Sequence, residues 1–251
     1  MIAAADGAPR AAFERPAFEL IDLLLRDRRA MLARLRGGAD LPAILRTMIA
    51  TIAVATAIVG AALGSYRGGI QIAYAAIKLP IVLLGTAALS APALSAIGAA
   101  LGRPSRLAAD HALVMAALAF GALLLAACTP LILLARALDL AYHQTILATV
   151  AMFALAGIAA LQLICRGVAL EAAAGWRTAV AGMCVVFSLV GGQLAWALRP
   201  YLVRPRAPEP MFVREVEGSL LDAIAGAARS ARGIYDRSEA PLGAPLGERA
   251  P

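Results

Sequence analysis

Between Arg177 and Arg199 lie 21 consecutive residues without a charge, Thr178 to Leu198. As an α-helix such a run rises about 31 Å, which matches the hydrocarbon thickness of a bilayer. Inside lipid every backbone N–H and C=O needs a partner other than water, and a helix supplies one from within itself. The run closes with Gly191-Gly192-Gln193-Leu194-Ala195-Trp196-Ala197-Leu198-Arg199-Pro200-Tyr201. Trp196 and Tyr201 carry rings that favour the headgroup level, Arg199 reaches phosphates, and Pro200 discourages further helix. The segment reads as a membrane crossing that ends near residue 200.

Uncharged intervals of similar length recur, and spans are expected at about 47–66, 79–102, 111–135, 144–165 and 178–200. The chain is 61% hydrophobic and only 16% charged, with a mean hydropathy of +0.79, far outside the range of soluble domains. The interiors of the intervals are rich in Ala, Gly and Leu, so packed helices are expected rather than a barrel. The fold class is therefore an all-α integral membrane protein, with a transmembrane domain over residues 41–202. Gly60 and Gly64 have the spacing of a close helix contact.

All but one of the 23 basic residues are arginine, the exception being Lys78, and the net charge is +7. These residues flank the lipid-length segments. That arrangement points to a bilayer, with anionic headgroups at the Arg-rich termini, and away from nucleic acid. Cys128, Cys165 and Cys184 fall singly in apolar runs, which suits packing and suggests neither a disulfide framework nor a zinc site. Met1 to Arg15 lacks an apolar stretch of signal-peptide length, so no cleaved leader is expected.

The first 40 residues read as a cytoplasmic tail. After a disordered start, residues 17–36 place Phe18, Ile21, Leu24, Leu25, Met31, Leu32 and Leu35 within one helical arc. This is an amphipathic helix that either lies on lipid or packs on the protein's own cytoplasmic face. Asp22 and Arg26 are spaced to support it, whereas Arg28 intrudes on the apolar arc. Gly37-Gly38 ends it.

The second interval is divided by Pro80 and Pro92 and preceded by Lys78, so a proline-broken helix or re-entrant hairpin is expected there. Five full crossings would split the basic residues twelve against eleven. A re-entrant second segment would make the split seventeen inside against six outside and put both termini in the cytoplasm, as the positive-inside rule favours. A single span kinked at Pro92 is the alternative. Asp110 and His111 open the third interval, and Pro130 bends or ends it. Asp139, Tyr142 and His143 can share a face of a connecting helix, but with two histidines in the chain a metal site is not expected. Residues 203–251 give a Pro-rich linker, an amphipathic helix over 213–234 and a disordered tail.

Two stretches carry a resemblance: Ala76-Ile77-Lys78-Leu79-Pro80 running through Thr86 to Pro92, and Gly191 to Tyr201. They resemble a family of bacterial polytopic membrane proteins of Yip-like layout, some labelled actin-binding and WASP-homology-containing. The K-x-P motif with its later Thr and Pro maps onto Lys78, Pro80, Thr86 and Pro92. The G-x-Q-x-x-W-x-L-R-P motif maps onto Gly191, Gln193, Trp196, Leu198, Arg199 and Pro200. Where similar proteins follow the last proline with an aromatic, an aliphatic and a glycine, this chain has Tyr201, Leu202 and Val203. The resemblance implies a multi-pass protein of a bacterial inner membrane and no particular reaction; the residues lend no support to actin binding.

No paired aspartates, metal triad, activated serine, phosphate loop or dinucleotide fingerprint is spelled out, so neither catalysis nor a cofactor is expected. The expected function is a non-enzymatic scaffold or accessory subunit that organises lipid or recruits a protein partner, itself included. The alternative is a small-solute or ion transporter or channel subunit built on the broken helix at Lys78 and Pro80, with Thr86, Ser90 and Ser95 beyond. In the bland reading Lys78 marks the membrane boundary and Gln193 makes a hydrogen bond between helices.

Overall fold

The computed structural model describes residues 8–38, 40–103, 106–138, 142–170 and 175–198, together with Tyr201 and Phe212. These residues form helices α1 (Ala8–Arg26), α2 (Arg28–Gly37), α3 (Leu41–Gly64), α4 (Ile70–Ala100), α5 (Leu107–Ala127), α6 (Thr129–Ala137), α7 (Tyr142–Ala169) and α8 (Trp176–Ala197), with no strand among them. Five stretches are long and apolar enough to cross a membrane: Leu41–Gly64, Ile70–Ala100, Leu107–Ala137, Leu147–Ala169 and Trp176–Ala197. The chain is an all-α, multi-pass membrane protein. The helix expected at 213–234 lies outside the described residues, as do Arg199, Pro200 and Asp139.

Each helix overruns the charge-free interval that announced it, because ionisable residues sit inside the helices. Arg46 belongs to α3, Lys78 to α4, Asp110 to α5, Arg136 to α6 and Arg166 to α7. Long arginine stems near helix ends let the charge reach water while the backbone stays helical.

The largest departure from expectation is α4. It is one continuous helix of 31 residues with both Pro80 and Pro92 inside it, so the broken or re-entrant second segment is not formed. Its rise of about 46 Å exceeds a hydrocarbon core, which tilt or projection at the ends accommodates. Proline survives in such a helix where neighbouring helices and local adjustment satisfy the carbonyl it leaves free. The helix begins at Ile70 rather than 79 because Ile70 to Ile77 is itself apolar and helix-compatible.

Residue size decides how α3 and α4 pair. A Cβ added to Gly60 would stand 2.7 Å from the Ala75 carbonyl carbon, and one added to Gly64 2.7 Å from the Ile72 Cα. Only glycine lets the two backbones approach so closely, so the Gly60/Gly64 spacing is a contact face. The link between them turns through Gly68 and Gly69, both at positive φ (84° and 61°).

Helix α5 is the centre of the bundle. Residues 112–122 are buried without interruption, the mark of a helix surrounded by others. It ends at Cys128, and Pro130 opens α6 within its first turn, where a missing N–H costs nothing. The expected bend at Pro130 is thus a helix boundary.

The N-terminal helix also departs from expectation. It starts at Ala8, and it is cut in two at Asp27, whose carboxylate accepts from the Ala30 N–H at 3.0 Å and caps α2. Leu20, Leu24, Met31, Leu32 and Leu35 are buried in the same core as α3, α4, α5, α7 and α8. Of the two expected placements, packing on the protein is the one found. The Asp22–Arg26 pair forms at 2.7 Å on the exposed side. Arg28 sits on the apolar arc because its guanidinium lies 4.9 Å from the centroid of the Phe120 ring, a cation–π contact that offsets its partial burial.

Candidate functional site

Thr86 and Gly191, one residue from each sequence motif, meet where α4 crosses α8. The Thr86 methyl occupies the space a side chain at Gly191 would need, 3.0 Å from the added Cβ. Gly85 gives the same room to Leu194, and Gly182 to Ile97. Thr86 is buried and its hydroxyl donates to the Val82 carbonyl at 2.6 Å, so it is spent on its own helix. Pro80 is half-buried and Pro92 exposed. Gln193 is exposed on α8, while Trp196 is half-buried in its last turn.

Lys78 does not open its helix. It lies two turns inside α4 and is completely buried (0% exposed), because the helix starts well before it. Its Nζ lies 5.1 Å from the centroid of the Phe212 ring, and that ring also meets Tyr74 edge-on at 5.1 Å. Gln71, one further turn toward the helix start, is buried and donates from Nε2 to the Tyr201 carbonyl at 3.1 Å. Tyr201 in turn donates its hydroxyl to the Ala195 carbonyl at 3.1 Å, one of the carbonyls a helix end leaves open. Burial pushes the Tyr201 hydroxyl up to about 12. The exit from α8 and the entry to α4 are therefore tied together by neutral groups.

The opposite end of the bundle holds an ion pair. Arg103 follows α4 after Gly102 (φ 81°), and Asp110 sits in the first turn of α5. The guanidinium donates to both carboxylate oxygens, at 2.6 and 3.2 Å, and Ser95 donates its hydroxyl to the same carboxylate at 2.5 Å. Both charged side chains are 3% exposed. A fork-to-carboxylate geometry with a third donor is what a buried pair needs to offset its desolvation. Gly98 makes room: a Cβ there would lie 3.3 Å from two Arg103 atoms. The sequence held the parts of this lock separately, Ser95 and Asp110 having been noticed for other reasons.

Two hollows lie on the same side of the bundle, and neither has a signature in the sequence. One, about 500 Å³, is lined by Arg28, Arg29, Leu32, Arg166, Ala169 and Leu170, where α2 passes the last turn of α7. The other, about 20 Å³, shares Leu32 and is lined by Leu35, Arg36 and Asp110 among others. Among the described residues the Arg36 Nε and Nη2 atoms are buried without a hydrogen-bond partner. No group of three or more metal-ligating side chains occurs among the described residues. Comparison with protein-family models, with curated proteins and with solved structures finds no match to this chain.

Proposed function

We propose that this protein is a non-enzymatic membrane scaffold or accessory subunit, which organises anionic lipid and recruits a protein partner or a second copy of itself. The observation that carries the proposal is the attachment of the N-terminal helices. Their leucines are part of the bundle core, while Arg29 is exposed, as are Arg26 and Arg34, which pair with Asp22 and Asp40. A cationic platform fixed to five spans suits the capture of acidic surfaces, lipid or protein, better than it suits turnover. Two of the polar groups that chemistry could use are engaged within the protein: Asp110 by Arg103 and Ser95, Thr86 by Val82.

With α4 continuous, five crossings leave the two chain ends on opposite sides of the membrane. The connections and adjoining helix ends on the α1–α2 side carry Arg103, Arg106, Arg166 and Arg177, against Arg67 and Arg136 on the other. The positive-inside rule then supports a cytoplasmic N-terminus in a bacterial inner membrane. The Yip-like family resemblance belongs to the same proposal. Engineered single cysteines in the two tails, with Cys128, Cys165 and Cys184 removed, are expected to label from opposite sides; labelling from one side overturns this topology.

A second reading, a solute or ion transporter, is favoured by the burial of Lys78 within a span, since intramembrane charges tend to be functional. Ser90, also buried on α4, has a hydroxyl without a hydrogen-bond partner among the described residues. Solute flux into liposomes holding the protein alone, abolished by Lys78→Met, would establish the transporter and displace the scaffold. Co-purification of a partner in mild detergent, with no flux, is the result expected here.

A further inference from the structure

The geometry points to a specific phospholipid site, the 500 Å³ cleft between α2 and the end of α7, which holds the phosphodiester of an anionic lipid. This rests on the lipid-organising reading above and narrows it to a place. The cleft is lined by three guanidinium-bearing side chains from two elements: Arg28 and Arg29 from α2, and Arg166 from the last turn of α7. Among the described residues no carboxylate lines it. Arg28 is held in position by Phe120, so its charge is fixed before any ligand arrives. Arg29 and Arg166 are exposed and present forked donors that match phosphate oxygens.

The remaining lining, Leu32, Ala169 and Leu170, is apolar. A hydrophilic anion gains nothing from such a wall, whereas an acyl chain does. Leu170 is 53% exposed and continues the wall outward. Position agrees with chemistry, since Ala169 is the last residue of the crossing Leu147–Ala169 and a lipid phosphate lies at that depth. Basic recesses between membrane helices at this level are where anionic headgroups lodge. The adjoining hollow adds an independent sign: buried Arg36 donors without an acceptor share the Leu32 wall.

The test uses the full chain in nanodiscs of phosphatidylcholine doped with phosphatidylglycerol or cardiolipin, with retained lipid counted by native mass spectrometry. Wild type is expected to keep the anionic lipid selectively. The double variant Arg29→Gln/Arg166→Gln is expected to lose about tenfold or more in retention, with its melting temperature in pure phosphatidylcholine unchanged. The control Arg46→Gln/Arg106→Gln removes equal charge from the same face and is expected to retain lipid. Equal loss in both doubles would mean diffuse surface attraction and overturn the site, as would displacement of the lipid by millimolar inorganic phosphate. Neither result touches the scaffold reading, which falls instead to solute flux.

Discussion

The two ends of the bundle are closed by opposite chemistry. At the Asp110 end, Arg103, Asp110 and Ser95 bolt the α4–α5 turn with a desolvated ion pair. At the Tyr201 end, Gln71, Tyr201 and the Ala195 carbonyl join α4 to α8 through neutral hydrogen bonds. A buried ion pair is indivisible, because removing one partner strands a charge in a medium that cannot solvate it. Neutral bonds fail one at a time, each at a cost near 1 kcal/mol. The charged end should therefore break as a unit, and the neutral end should loosen by degrees.

Asp110→Asn is the sharpest way to break that contrast. It strands Arg103 and is expected to cost about 3–5 kcal/mol, read as a lowered melting temperature in detergent or nanodiscs. The paired change Arg103→Met/Asp110→Leu should recover most of the loss, because both charges leave together; no recovery would mean the pair is not isolated as described. Next comes Gly64→Leu at the neutral end, where a side chain meets the α4 backbone and overpacking costs about 1–3 kcal/mol. Gly191→Val, opposing Thr86 on the outer helix α8, is expected to cost about 1 kcal/mol, since α8 has few buried positions to disturb.

The smallest effect concerns pH. Tyr201 is raised to about 12 from an ordinary value of 10.0 by burial, so the fold holds its neutral form. Its contribution is complete below pH 10 and is lost as pH rises through about 12. The tyrosinate absorbance titration of wild type minus Tyr201→Phe should isolate a component in that window. A component at ordinary tyrosine pH would show the α8 exit to be open to water.

Much of this architecture was legible because lipid imposes a length and a composition at once. Five apolar runs gave five crossings, and Gly60 with Gly64 gave the α3–α4 contact. What misled was the use of charges as boundaries. Lys78 looked like the edge of a span because single-residue polarity says nothing about whether apolar helix continues on its far side. Pro80 and Pro92 looked like breaks because a proline's cost depends on neighbours that satisfy the freed carbonyl. The Arg103–Asp110 bolt and the arginine cleft were hidden for another reason. Both join residues from different helices or loops, and only the packing of α2 and α7 on the same helix, α5, brings Arg28, Arg29 and Arg166 together. Thr86 and Gly191 show the intermediate case, each visible in its own motif, with their contact invisible until α4 crosses α8.

The glycine seam between α3 and α4 has a bearing on how the molecule is born. Its partners are consecutive in the chain and separated by a short turn, so the hairpin can close as soon as its second arm leaves the ribosome. The first two spans could then enter the bilayer as a finished pair, a template on which α5 and its bolt are later laid.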